Sequence, residues 1–312
     1  MSQTSIFPCR QLTESCELQL DQVNKKVSTM MSFLPEQLID LDRYPIHDLQ
    51  SETGQALIKR CRQELEGMNS CVLRGFIKKD VQEQLVAEAR QLAEQAFYYE
   101  KFGLNCYRTQ DDPRFPKDHP RRLFYDVKEG VVAYDLFTMD SMLRKVYQWK
   151  PLADFLAQAF DKPALYPFDD PFQALNIMVI SENEEDVGMG WHFDENEYTI
   201  TLMMQPPEQG GEFEFVPNIR TPWDENYRAV QKVLQGAREG ILQEAPEFGM
   251  LALFRGGYSL HRVAPVKGKI PRLQCIATFE KEPGQKASDQ SSINIYGPRI
   301  REVLQAGKKL IA

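Results

Sequence analysis

Residues 191–205, WHFDENEYTITLMMQ, decide how this chain folds. From Tyr198 onward the stretch alternates Thr199, Ile200, Thr201 and Leu202, the period-2 pattern of a half-buried β-strand. In the extended segment ahead of it, the same period sends His192 and Asp194 to one face and Trp191 and Phe193 to the other. A lone downstream histidine, His261, opens another short β pattern, HRVAPV. Two imidazoles and one carboxylate bind a divalent iron on one face of its octahedron and leave the opposite face open. The chain has only four histidines. His47 and His119 lie far upstream, so no other imidazole is available to this half. Arg272 follows at the start of RLQCIATFE, where a returning strand brings it beside the metal face. Its planar guanidinium suits a bidentate clamp on a dicarboxylate.

Further β patterns surround this segment: Ala174 to Ser181, Gly211 to Pro217, Gly249 to Gly256 and Arg272 to Glu280. With Trp191 to Asp194, Tyr198 to Gln205 and His261 to Val266, short strands bounded by turn residues predict a sandwich or jelly roll. An immunoglobulin-like sandwich or a non-catalytic cupin would show the same strand pattern, and the metal constellation is what separates them. Residues Asn218 to Phe248 interrupt the series, with a helical middle from Trp223 to Leu234. Upstream, the segment from Ser51 places Leu57, Ile58, Cys61 and Leu65 on one helical face, with Gly67 as its C-terminal stop. A strand is predicted at Cys71 to Ile77 and a helix at Asp80 to Phe97. Tyr98 to Pro120, rich in Asp, Pro and aromatics, reads as a lid-type loop. Short strands follow at Arg122 to Val127 and Val131 to Phe137, then helical stretches through Ser141 to Phe160. The expected organisation is a polar segment 1–34 and a single domain 35–312. That domain divides into a helical support region 35–165, a β core 166–285 and a C-terminal extension 286–312.

At 312 residues and 42% hydrophobic content the chain is ample for a packed core. Its formal net charge is −8. The nearest approach to a basic block is HPRR at His119 to Arg122, which disfavours a polynucleotide partner. Six cysteines (Cys9, Cys16, Cys61, Cys71, Cys106, Cys275) form no C-x-x-C pair, so reduced structural thiols are expected rather than a zinc cluster or redox dithiol. The N-terminus lacks a signal-peptide core, and no apolar run reaches membrane-spanning length. The expectation is a cytoplasmic protein with no membrane partner. Self-association as a homodimer stays open.

The order His192-x-Asp194, His261, Arg272 resembles the Fe(II)/2-oxoglutarate-dependent oxygenases, whose catalytic domain is a double-stranded β-helix, or jelly roll. More narrowly, Gln173 to Glu280, about a third of the chain, resembles the branch that hydroxylates or halogenates small amino-acid-like substrates without a carrier protein. Halogenases of that branch replace the metal-binding carboxylate with a small residue to admit chloride. Asp194 is kept here, so the resemblance implies hydroxylation, or another oxidative outcome, rather than halogenation.

The cofactors implied are Fe(II), 2-oxoglutarate and O2, with 2-oxoglutarate decarboxylated to succinate. Arg272 would hold the far carboxylate of 2-oxoglutarate. Asn176 is a candidate for its C1 carboxylate, against the alternative of a solvent-face polar residue, and Thr201 is a weaker candidate of the same kind. For the substrate, Glu195 is a candidate partner of an ammonium and Arg122 of a carboxylate. Thr278 shares strand parity with Arg272 and is expected to face the same interior. Arg262 should turn away from the metal face. Desaturation or ring closure at the same site, a non-catalytic 2-oxoglutarate or metal sensor, and zinc hydrolysis are the competing readings.

Overall fold

The computed structural model describes residues 33–182 and 190–311. Most of the polar segment 1–34 therefore lies outside the described residues. Residues 34–312 form one compact unit. It begins with α1 (Pro35–Leu38), α2 (Glu52–Met68), β1 (Ser70–Leu73), α3 (Gln82–Ala93), β2 (Phe97–Leu104) and β3 (Tyr125–Val132). Next come α4 (Met142–Gln148), α5 (Lys150–Ala159), β4 (Tyr166–Pro167), β5 (Leu175–Ile180), β6 (Thr199–Gln205), β7 (Gln209–Gly210) and β8 (Phe213–Val216). The remainder is α6 (Tyr227–Leu234), β9 (Leu242–Glu244), β10 (Leu251–Phe254), β11 (Leu260–Val263), β12 (Val266–Lys267), β13 (Arg272–Ala277), β14 (Phe279–Glu280), α7 (Asp289–Tyr296) and α8 (Arg299–Ile311).

The fold is a jelly roll with flanking helices. Its major sheet is antiparallel, ordered β1-β10-β6-β13-β5-β3-β2, and its minor strands form the sheets β11-β8-β9 and β12-β7. Strand alternation divides the major sheet by chemistry. Ile200, Leu202, Leu251, Cys275 and Ala277 face the helices, where they meet Leu143, Val146 and Leu152 of α4 and α5. Thr199, Thr201, Ala252, Phe254, Gln274 and Ile276 face the other way, lining a cavity shared with Phe213 and Val263 of the minor strands. Met178, Ile180, Val263 and Val266 close one end of that interior. Each fully buried aliphatic side chain contributes about 1.5–3 kcal/mol, so the helix-facing layer makes the major sheet a rigid platform for the cavity-lining face.

Several elements differ from the sequence reading. Helix α2 starts at the predicted Ser51 cap, whose hydroxyl accepts from the Gly54 N–H, but it runs through Gly67. It stops at Asn69, which takes the left-handed conformation at φ 56° with its N–H on the Leu65 carbonyl. Asparagine tolerates that conformation, so it replaces glycine as the terminator. Phe97–Leu104, read as the end of a helix and the start of a loop, is strand β2, drawn into the sheet by pairing with β3. The two short strands expected between Arg122 and Phe137 are one strand, β3, followed by a 3-10 turn at Tyr134–Leu136. Cys71 to Ile77 is strand only as far as Leu73, and Trp191 to Asp194 is not a strand but carries an isolated bridge, His192 to His261. The insert is helical over α6 and also adds β9, which pairs with β8. No helix among the described residues is long and apolar enough to cross a membrane.

Candidate active site

His192 and His261 face each other across that bridge. The His192 N–H donates to the His261 carbonyl at 2.9 Å, and the His261 N–H returns the bond at 3.0 Å. Trp191 and Phe193 point the opposite way, into an apolar cluster with Cys106, Val230, Val233 and Leu260. Loop 105–122, most of it within the segment read as a lid, and helix α6 of the insert pack on this outer side and on each other. Arg121 Nε donates to the Tyr227 hydroxyl at 2.9 Å, and His119 lies edge-on to the Tyr227 ring. Arg262 turns away as predicted, bonded to Glu214 at 2.7 Å and placed over the Trp191 ring. The apolar anchors fix the segment from behind and leave the two histidines and Asp194 on its inner face.

The ligand atoms of His192, Asp194 and His261 all lie within 4.8 Å of one another. Asp194 Oδ1 is 3.7 Å from His192 Nε2 and 3.3 Å from His261 Nε2. Both Nδ1 atoms are engaged by backbone carbonyls, His192 by Gly190 at 2.7 Å and His261 by Ser259 at 2.8 Å. A carbonyl only accepts, so each Nδ1 carries a proton and each Nε2 is the atom turned to the Asp194 carboxylate, available as a metal-binding lone pair when the ring is neutral. Burial, then the neighbouring His261, pushes the His192 imidazole well below its ordinary pKa. Burial alone would raise the Asp194 carboxyl, but His261, His192 and the Thr199 hydroxyl hold it below the usual carboxylate range. Thr199 Oγ1 donates to Asp194 Oδ2 at 2.6 Å, leaving Oδ1 for the histidine side. Two buried lone pairs and an anion converging on one point fit a divalent cation. A donor set of two imidazoles and one carboxylate fits ferrous iron.

Behind Asp194 there is no slack. The Asp194 N–H donates to the Gly256 carbonyl at 3.2 Å, and a Cβ built on Gly256 would overlap the carboxylate. Glycine is required at 256 by this close approach.

Two chambers meet at His192. The inner one, between the sheets, is lined by the whole metal set together with Thr201, Arg272 and Gln274. Arg272 is only 1% exposed. Its Nε donates to the Gly211 carbonyl at 3.1 Å and its Nη1 to Gln274 Oε1 at 2.6 Å. Burial pulls its pKa down to about 10, so it stays charged at neutral pH. Among the described residues no carboxylate pairs with it, and a buried unpaired cation calls for an anionic ligand. The outer chamber, about 470 Å³, is lined by His192, Glu195, Glu129, Tyr125 and Arg108, with residues of α7 forming one wall.

The structure thus gathers His192, Asp194, His261, Thr201 and Arg272 around the inner chamber and puts Glu195 in the outer one. The other three candidates are bonded elsewhere, although Asn176 shares the cavity-facing side of the major sheet with its register partner Ile276. Asn176 shares a hydrogen bond with the Tyr296 hydroxyl. Thr278 donates to the Gln173 carbonyl at 3.1 Å, a junction away from the metal. Arg122 forms a bidentate pair with Asp111 and donates to the Phe115 carbonyl, so its fork is consumed in stapling loop 105–122. Sequence reasoning missed Thr199, Gln274, Glu129 and Arg108. For Glu129 a signal existed: in YDVKEGVV it occupies the inward parity of Val127 and Val131.

The model of the family described as halogenase D matches residues 53–294. No curated protein matches the chain. Among solved structures, one similar chain is a 2OG-Fe(II) oxygenase family oxidoreductase from Burkholderia pseudomallei, with 12% identity and TM-score 0.46, covering 73% of this chain and 92% of that one. Another is the epimerase SnoN in complex with Fe3+, alpha ketoglutarate and nogalamycin RO, with 15% identity and TM-score 0.48, covering 75% and 93%. AviO1 from Streptomyces viridochromogenes Tue57 is similar at 15% identity and TM-score 0.48, covering 75% and 97%. With its family model matched over most of its length and a His-Asp-His site inside that match, the chain belongs to the halogenase D family and is an Fe(II)/2-oxoglutarate-dependent oxygenase.

Proposed function

We propose that the protein hydroxylates an unactivated C–H bond of a free amino acid or similar small metabolite, with O2 consumed and 2-oxoglutarate converted to succinate and carbon dioxide. The observation that carries the hydroxylation reading is Asp194. Halogenases of the branch this chain resembles have a small residue at that position to admit chloride, whereas here a carboxylate fills it, tied to Thr199 and backed by Gly256.

His192, Asp194 and His261 would hold ferrous iron, which with 2-oxoglutarate and O2 supplies the oxidising power for C–H cleavage. The chain's own task is positioning. Arg272, oriented by Gln274 and the Gly211 carbonyl and itself buried, receives the far carboxylate of 2-oxoglutarate where a charge-assisted pair is strong. Thr201 lies on the same wall as a further hydrogen-bonding group. The substrate approaches through the outer chamber, past Glu195, and reaches the metal at His192. A cytoplasmic location suits this chemistry, because ferrous iron and 2-oxoglutarate are available there.

The test is aerobic incubation with Fe(II), 2-oxoglutarate and a panel of the twenty free protein amino acids. Succinate and product mass are read together. A gain of one oxygen in a panel member supports hydroxylation, and a loss of two hydrogens replaces it with desaturation or ring closure. Tight 2-oxoglutarate binding with no succinate formed would make the protein a sensor instead.

A further inference from the structure

Glu129 is a buried acid that the proposed metal chemistry does not use. It sits on β3 directly across from Tyr99 of β2, and the Tyr99 hydroxyl donates to its Oε1. The residue is 4% exposed, and Oε2 is shielded with no hydrogen-bond partner. An unpaired buried carboxylate is strongly unfavourable unless something compensates it. Along the inward face of β3 a valine in its place would continue the Val127 and Val131 stripe at no such cost. Glu129 also lines the outer chamber, with His192, Glu195 and Arg108 on the same surface. Burial raises its pKa to about 7, so a nearby cation would readily bring it to the charged form.

We propose that Glu129 is the substrate-binding residue that pairs with a cationic nitrogen of the substrate, while Arg108 at the same chamber takes its carboxylate. The inference rests on the oxygenase reading and deepens it, by requiring a substrate with a free ammonium group. Tyr99 is the positioning residue, holding Oε1 and so fixing the orientation of the carboxylate at the chamber wall. Arg108 supplies the guanidinium that Arg122 cannot, because the Arg122 fork is spent on Asp111. Arg108 lines the chamber from a left-handed backbone position, φ 54°, with its N–H on the Asn105 carbonyl. An acid and a base lining one pocket suit a zwitterion.

The experiment assays the free amino acids alongside their Nα-acetylated derivatives for stimulation of 2-oxoglutarate consumption, using wild type, Glu129→Gln and Glu129→Asp. Glu129→Gln keeps the side-chain shape and an acceptor for Tyr99. Thermal melting and 2-oxoglutarate binding in the presence of Mn(II) report whether each variant is folded. The expected result is that at least one free amino acid stimulates turnover and its acetylated form does not. For that amino acid Glu129→Gln should raise KM at least tenfold with kcat changed less than threefold, and Glu129→Asp should recover part of the loss. Stimulation by an acetylated derivative equal to that of its parent, or an unchanged KM in folded Glu129→Gln, overturns the proposal. So does wild type that consumes 2-oxoglutarate unstimulated but responds to no free amino acid, an outcome that leaves the oxygenase reading standing. Wild type that consumes none at all overturns that reading and the proposal with it.

Discussion

Asp194 and Arg272 divide the chemistry between an anion that waits for a cation and a cation that waits for an anion. Arg272→Gln removes the charge while keeping hydrogen-bonding capacity, and it should raise the KM for 2-oxoglutarate by roughly 10- to 100-fold, the worth of a charge-assisted hydrogen bond. Steady-state kinetics in 2-oxoglutarate check this, and a KM within twofold of wild type would remove Arg272 from the co-substrate site. Glu129 makes a separate prediction about stability. Its carboxyl is raised from 4.5 to about 7 by burial, so between those values the folded chain keeps a proton that the unfolded chain has released. Stability from this group is fully present below about pH 4.5 and is lost as pH rises through 7, a difference on the order of 3 kcal/mol. Glu129→Gln lacks that dependence. Denaturant melts should show it gaining on wild type from pH 5 to pH 8, and a pH-independent gap would contradict the buried-acid account.

At the scale of elements, the metal site depends on two backbone approaches, the His192–His261 bridge and the Asp194 N–H on Gly256, and on the start of β6, which brings the Thr199 hydroxyl to the carboxylate. Gly256→Ala should displace Asp194, because its new Cβ meets the carboxylate. Metal affinity, measured by Mn(II) or Fe(II) titration under anaerobic conditions, should fall roughly 10- to 100-fold, as for other supports of metal ligands. Unchanged affinity would show that the segment is slack.

Much of this level is legible in the sequence, because parity is local: two residues apart in extended chain means one face, and Trp191 and Phe193 provide the apolar side that anchors it. The β patterns from Ala174 onward are legible for the same reason. What depends on partners distant in sequence is not. FYYEKFGL becomes a strand only because β3 lies beside it, and Arg122, suited in type to bind a carboxylate, is claimed by Asp111 inside its own loop. Helix α7, read merely as part of a C-terminal extension, is a chamber wall because the tail folds back over β3, a return that no local pattern encodes.

Across the whole molecule, the jelly roll places two chambers on either side of one metal-binding edge. Helices stiffen the outer face of the major sheet, the minor strands enclose the inner chamber, and β2, β3 and α7 enclose the outer one. His192 lines both chambers, so the two cavities meet at a metal ligand. Succinate formation by wild type and Asp194→Ala, with and without added Fe(II), under air and under nitrogen, tests this account most directly. It predicts iron- and air-dependent succinate from wild type and at least a hundredfold less from Asp194→Ala. Equal succinate from the variant, or turnover under nitrogen without iron, would contradict it.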